Sequence, residues 1–269
     1  MISPWIQTDH HRVYVRLGTS PFALVTFSSL GFDPEVSDYW ASPVVKKLDM
    51  TCVGVVARKA NWFPRAEIEA LAPRIRAVLS DFPEVLGYGA SMGGYGVLRH
   101  GKLLGCTTTI AFSPQISIDP ELAEFDPRYR PHFDPDLNTG DAISELPPRN
   151  FVVFDPYQPL DREHVERIKR LGPITEIHAP FLDHDTVRMM QSSTVANALF
   201  RHVLANNAQG VRGLLRPLRR TLPIYYRSIA YRGLAIRRSE TWTKIGVTRG
   251  LERFPTDPVL LDYRARSVA

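Results

Sequence analysis

Val85-Leu86-Gly87-Tyr88-Gly89-Ala90-Ser91-Met92-Gly93-Gly94-Tyr95-Gly96 opens as a short apolar run, passes through a tight glycine-bounded turn and continues into Val97-Leu98-Arg99-His100. The run predicts a buried strand and the continuation a helix, with Ser91 at the apex between them. A serine hydroxyl is a poor nucleophile unless it is held clear of the backbone beside a base, with amide donors facing the charge that develops on the attacked carbonyl. A strained turn exposes the side chain, and small residues two before and two after let strand and helix close up; Gly89 and Gly93 hold those places. Taken alone, those five residues fit an ordinary glycine-rich turn equally well. The rest of the chain decides.

Upstream, Arg12 to Leu17 alternates polar and apolar residues, the period of a half-exposed strand, while Phe22 to Phe27 and Met50 to Val56 read as deeply buried strands. Arg65 to Leu79 has helical spacing in Ile68, Leu71, Ile75 and Val78 after the breaker Pro64. Downstream come strands at Cys106 to Phe112, Phe151 to Phe154 and Ile174 to Ile177, with helices at Arg162 to Leu171 and Thr186 to Leu204. Strands alternating with helices predict an α/β fold, a mostly parallel sheet covered by helices on both faces, with an antiparallel edge in Met1 to Leu17.

The 269 residues suit one large α/β domain with an appendage, or two unequal domains. No apolar run is long enough to span a bilayer, and Met1-Ile2-Ser3-Pro4-Trp5 lacks a secretory pattern, so a cytoplasmic location is expected. Cys52 and Cys106 lie in apolar runs and read as buried free thiols. The net charge of +5 is unevenly held. From Val211 onward there are 13 Lys and Arg against 4 Asp and Glu, whereas the preceding residues carry 20 against 24. That tail, 211–269, reads as a basic helical extension. Its stretch from Glu240 to Gly246 and on through Leu251 to the proline stop at Pro255 and Pro258, followed by Leu260 to Ala265, resembles a degenerate tetratricopeptide helix pair. Arg216, Arg219, Arg220, Arg227, Arg232, Arg237 and Arg238 recur at intervals suited to a basic helical face, for a protein or anionic-surface partner or for salt bridges to the acidic remainder.

In an open parallel sheet, reactive groups collect where strands end. Ser91, Asp155 and His184 each follow a predicted strand. Their order, together with Gly-Ala-Ser-Met-Gly-Gly at Gly89 to Gly94 and Asp-Pro-x-x-Pro at Asp155 to Pro159, resembles the α/β-hydrolase superfamily over roughly residues 12 to 205. The resemblance implies a catalytic domain at 1–210 with a lid-like insertion at 116–149. It makes Ser91 the nucleophile, His184 the general base and Asp155 the residue that orients the imidazole. Asp161, on the same loop, is the rival acid and also suits the cap of the helix expected at Arg162. The amide of Met92 would donate to the oxyanion. A second amide would come from Ser29 or Leu30 of Ser28-Ser29-Leu30-Gly31, where many members carry His-Gly instead.

The expected activity is cleavage of an ester or thioester through an acyl-enzyme, with acyl transfer, or an interaction module on the same scaffold, as alternatives. The substrate is a small acyl compound. Nothing in the sequence calls for a cofactor, a metal or nucleic acid; Asp9-His10-His11 lacks spaced partners and reads as a solvated turn. His178, His164 and His132 fit the base position less well than His184, and Asp183 and Asp185 flank it. Tyr88, Trp40 and Trp62 read as core or pocket wall. In the insertion, Phe125, Tyr129 and Phe133 suit a pocket lining, and Arg128 and Arg130 an anionic substrate, beside the plainer reading of a solvated proline-rich loop.

Overall fold

The computed structural model describes residues 3–33, 36–236 and 239–266; Arg237 and Arg238 of the expected basic face lie outside the described residues. Eight strands form one sheet: β1 (Ile6–Gln7), β2 (His11–Arg16), β3 (Ala23–Phe27), β4 (Thr51–Ala57), β5 (Val85–Ala90), β6 (Thr108–Phe112), β7 (Arg149–Phe154) and β8 (Thr175–His178). Their spatial order is β1-β2-β4-β3-β5-β6-β7-β8. The antiparallel edge falls at β1 and β2, and every pairing from β4 to β8 is parallel. The helices are α1 (Ser42–Lys47), α2 (Arg65–Leu79), α3 (Met92–Leu104), α4 (Pro135–Asn138), α5 (Pro159–Lys169), α6 (Ser193–Leu204), α7 (Ala208–Leu218), α8 (Pro223–Tyr231), α9 (Glu240–Arg253) and α10 (Pro258–Arg266).

Continuously apolar strands need cover on both sides, and the two faces of the sheet carry separate cores. On one, Val25, Phe27, Val53 and Val152 meet Ile68, Ile75, Val97, Leu98, Val165 and Ile168 from α2, α3 and α5. On the other, Leu24, Cys52, Leu86, Ile110 and Val153 meet Val45, Leu199, Phe200 and Val203 from α1 and α6, together with Val211 and Leu215 from α7. Tyr88 belongs to this second core, its ring 4.5 Å from that of Trp40. A third, smaller cluster joins α8, α9 and α10 through Tyr226, Ala230, Val247 and Leu260. Among the described residues, no helix is long and apolar enough to cross a membrane.

Three expectations change. The helix expected from Thr186 is broken: Thr186–Met189 is a 3₁₀ turn, and α6 begins at Ser193, where the Ser192 hydroxyl accepts from the Val195 amide at 3.2 Å. The helix expected from Arg162 starts three residues earlier, at Pro159, whose missing N–H costs nothing at a first helical position. Gln158 is then its cap, accepting from the Leu160 amide, and Asp161 moves inside the first turn. The segment 116–149 is not a solvated loop. Ile116, Ile118, Tyr129 and Ile143 are buried in the first core, and short helical turns at Pro127–His132 and α4 order the segment.

Buried histidines give the fold an acid-sensitive side. His11, expected in a solvated turn, is fully buried in β2, stacked on Phe63 with Asn61 Nδ2 3.3 Å from its Nε2. Burial lowers its pKa to about 4. His100 Nε2 lies 2.8 Å from the Phe63 carbonyl, which only accepts, so that nitrogen carries the proton of a neutral ring; burial lowers its pKa to about 3. In the unfolded chain both rings protonate near 6.5. Stability from this source is therefore present above 6.5 and is lost as pH falls toward the folded values, by about 1.4 kcal/mol per pH unit for each ring. His100→Gln, which keeps a donor without the charge, should show a shallower fall in urea midpoint between about pH 6.5 and about pH 4.5 than the parent. Equal falls would contradict this.

Candidate active site

The turn between β5 and α3 is strained at its apex. Ser91 has φ 51° and ψ −120°, outside the favoured regions for a side-chain-bearing residue, a cost of about 1–3 kcal/mol that the surroundings must hold in place. The Ser91 amide donates to the Phe112 carbonyl at 2.8 Å, anchoring the turn to the end of β6. A Cβ on Gly89 would lie 2.1 Å from the Gly93 carbonyl oxygen, and one on Gly93 would lie 2.3 Å from that of Phe27. Both positions meet backbone that cannot yield cheaply. Gly93→Ala is expected to reduce unfolding free energy by about 3 kcal/mol, read as a lower urea midpoint; an unchanged midpoint would refute the crowding.

Ser91 Oγ is 2.9 Å from His184 Nε2, and His184 Nδ1 is 2.8 Å from Asp161 Oδ2. A carboxylate only accepts, so Nδ1 donates and Nε2 presents its lone pair to the serine hydroxyl. The residue expected to face the imidazole, Asp155, does not. Its carboxylate lies at the end of β7 and accepts the Tyr157 amide at 2.9 Å and the Asp183 amide at 2.8 Å. Burial raises its pKa, with these two bonds opposing. The early start of α5 explains the exchange, since it carries Asp161 up beside His184 and leaves Asp155 to close the turn beneath.

Asp161 is itself held. Its Oδ1 accepts from Arg128 Nη2 at 2.7 Å, and the same guanidinium nitrogen meets Asp126 Oδ2 at 2.7 Å. Arg128 thus bridges two buried carboxylates rather than facing a substrate anion, while Arg130 donates to the Glu124 carbonyl at 3.0 Å. The Ile116 amide donates to His164 Nδ1 at 3.1 Å, so the His164 proton sits on Nε2 and points at Asp126, 2.9 Å away. Burial lowers the His164 pKa against the pull of Asp126. Burial pushes Asp126 up, but the bonds from His164 and Arg128 outweigh it and hold the carboxyl below its ordinary range.

Over the serine, Trp62 Nε1 donates to Gln115 Oε1 at 3.1 Å. Indole N–H only donates, which turns the Gln115 amide nitrogen toward the Ser113 carbonyl at 3.1 Å, Tyr129 Oη at 3.1 Å and Ser91 Oγ at 3.4 Å. Tyr129 Oη is also 3.2 Å from His184 Nε2. Phe125 packs edge-on against His164 with ring centroids 4.6 Å apart, so of the three aromatics expected at the pocket it serves the polar chain behind Asp161.

Met92 is the first residue of α3, so its N–H has no acceptor within the helix and lies at the positive end of the helix dipole. The loop after β3 runs against the same turn: the Ser28 carbonyl oxygen is 3.2 Å from where a Gly93 Cβ would be. The Ser28 amide is already committed to the Val55 carbonyl, and Ser29 and Leu30 follow directly.

No protein-family model matches the chain, and no curated protein does. Among solved structures, it is similar to a 2,6-dihydroxy-pseudo-oxynicotine hydrolase, at 15% identity and a TM-score of 0.51 over 73% of this chain and 65% of that one. The strand order, the single antiparallel edge and the serine turn after β5 accompany that likeness. The chain has the α/β-hydrolase fold. Two further structures resemble it less closely: the capsule O-acetyltransferase of Neisseria meningitidis serogroup A, with a TM-score of 0.49 at 13% identity over 78% of this chain and 93% of that one, and the carboxylesterase EstE1 from a metagenomic library, with 0.45 at 17% over 76% and 84%.

Within this α/β-hydrolase fold, sequence reading missed Gln115 and the Arg128–Asp126–His164 chain. Gln115 follows β6 at Ser113-Pro114, a strand end like those that carried the other candidates, and that position was the available signal. The pairing of Asp126 with His164 across 38 residues leaves no local pattern.

Proposed function

We propose that the chain is a serine hydrolase that cleaves an ester or thioester of a small acyl substrate through an acyl-enzyme. The observation that carries this reading is the continuous hydrogen-bonded path from Ser91 Oγ through His184 to Asp161. His184 Nε2 removes the hydroxyl proton as Ser91 attacks the carbonyl, and the imidazolium so formed is stabilised by Asp161. The Met92 amide, with an amide of Ser29 or Leu30, meets the oxyanion. The same imidazolium protonates the leaving group. That oxygen or sulfur must come within hydrogen-bonding reach of Nε2, a place now held by Tyr129 Oη, so the Tyr129 side chain yields it to the substrate. Water then repeats the sequence and frees the acid and the serine; an alcohol in place of water turns the same acyl-enzyme to acyl transfer.

A fluorophosphonate probe tests the reading. Intact-mass measurement should find one adduct, and peptide mapping should place it on Ser91. Absence of an adduct in folded protein, or an adduct elsewhere, would reject it.

A further inference from the structure

Behind the loop that carries His184, a groove of 460 Å³ opens between the edge strand β8 and α7, lined by Glu176, His178, Pro180, Arg212, Arg216 and Arg219. Arg212 and Arg216 are four residues apart and share a helix face, where like charges repel. Arg219 follows within a turn. Arg212 donates to the Glu176 backbone carbonyl at 3.0 Å and Arg219 to the Pro180 carbonyl at 3.1 Å, contacts that orient the guanidiniums without neutralising them. Among the described residues, none of the three forms an ion pair with a carboxylate. The one carboxylate in the groove, Glu176, is already engaged by Lys169 at 2.8 Å and His178 at 3.5 Å. Asp155, the other acid near Arg219, is buried and occupied by two amides. Burial, with the neighbouring Arg220 and Arg216 charges, lowers the Arg219 pKa against the opposing influence of Tyr225 and of the Asp155 carboxylate.

From these observations we infer that the groove between β8 and α7 is a binding site for a phosphoryl group, separate from the serine site. Three arginines lining one groove can offer paired N–H donors to a tetrahedral oxyanion, the recognition in which arginine surpasses lysine. A dianion there would relieve the repulsion that the fold leaves uncompensated. Arg212 and Arg216 are exposed, so the ligand reaches them from solvent. The phosphoryl group is carried either by a soluble compound or by a lipid head.

Calorimetric titration of the full chain with inorganic phosphate, at low and constant ionic strength, tests the site. Saturable binding is expected, weakened about tenfold or more in Arg212→Gln/Arg216→Gln and retained in Arg220→Gln, which alters an arginine outside the groove. Circular dichroism shows whether the double variant is folded. Flotation with phosphatidic acid in phosphatidylcholine vesicles, against phosphatidylcholine alone, separates the sources. Recruitment that free phosphate displaces and the double variant loses assigns the lipid head, and phosphate binding without recruitment assigns a soluble ligand. Absence of both, or binding that the double variant retains, overturns the inference.

Discussion

Asp161→Asn is expected to lower kcat toward a small activated ester by about 10⁴, while Asp155→Asn should lower it by less than about tenfold and instead cost about 1–3 kcal/mol of stability. The opposite outcomes follow from what each carboxylate touches. Asp161 Oδ2 fixes the proton of His184 on Nδ1, and an asparagine there can turn its NH₂ to that nitrogen, placing the lone pair where the proton should be. Nε2 would then carry hydrogen and could not receive the Ser91 proton. Asp155 accepts two backbone amides, so its asparagine variant aims an N–H at an N–H in a buried turn. Steady-state kinetics beside urea midpoints separate the two effects. A larger kinetic loss in Asp155→Asn would return the role to Asp155, and with it the expectation drawn from the Asp-Pro-x-x-Pro match.

That reversal marks where sequence reading stops. The period of Arg12 to Leu17 and the apolar runs at Phe22, Met50, Val85 and Phe151 reflect burial of strands on one or both faces, a local demand that must be written locally, and each is a strand. Ser91 is legible for the same reason: Gly89 and Gly93 are required within two residues of it because a Cβ at either would collide with backbone carbonyl oxygens. His184 is legible from its place after the last strand. The choice between Asp155 and Asp161 turns instead on whether α5 starts at Pro159 or Arg162, and helix ends are decided by a single cap, here Gln158, rather than by a pattern. Arg128 illustrates the remaining gap. An arginine in a proline-rich segment looks solvated until the fold brings Asp126 and Asp161 to it from 2 and 33 residues away.

A chain ending at Gly210 should lose cooperative unfolding and ester hydrolysis together, so the basic tail does not behave as a detachable module. Val211, Leu215 and Leu222 are buried in the core that also holds Phe200 and Leu199. At about 1.5–3 kcal/mol for each buried side chain, their removal takes roughly 6 kcal/mol, comparable with the whole stability of a typical domain. The loss reaches His184 as well. Its loop carries positive φ at Phe181 (72°) and Asp183 (50°), strain that persists only if neighbours over-determine it. Those neighbours belong largely to the tail. Arg219 binds the Pro180 carbonyl, Arg232 donates to the Tyr157 carbonyl at 2.6 Å and approaches Asp183 at 3.8 Å, and the Phe181 ring lies 5.7 Å from Tyr225 and 5.6 Å from Trp242. Arg232→Ala tests the coupling without removing the core. It should lower kcat by about tenfold or more through a displaced imidazole while the urea midpoint moves little, because small misplacements near a reacting group are costly in rate. A truncated chain that unfolds cooperatively and turns over at the parent rate would show that the loop holds its shape unaided.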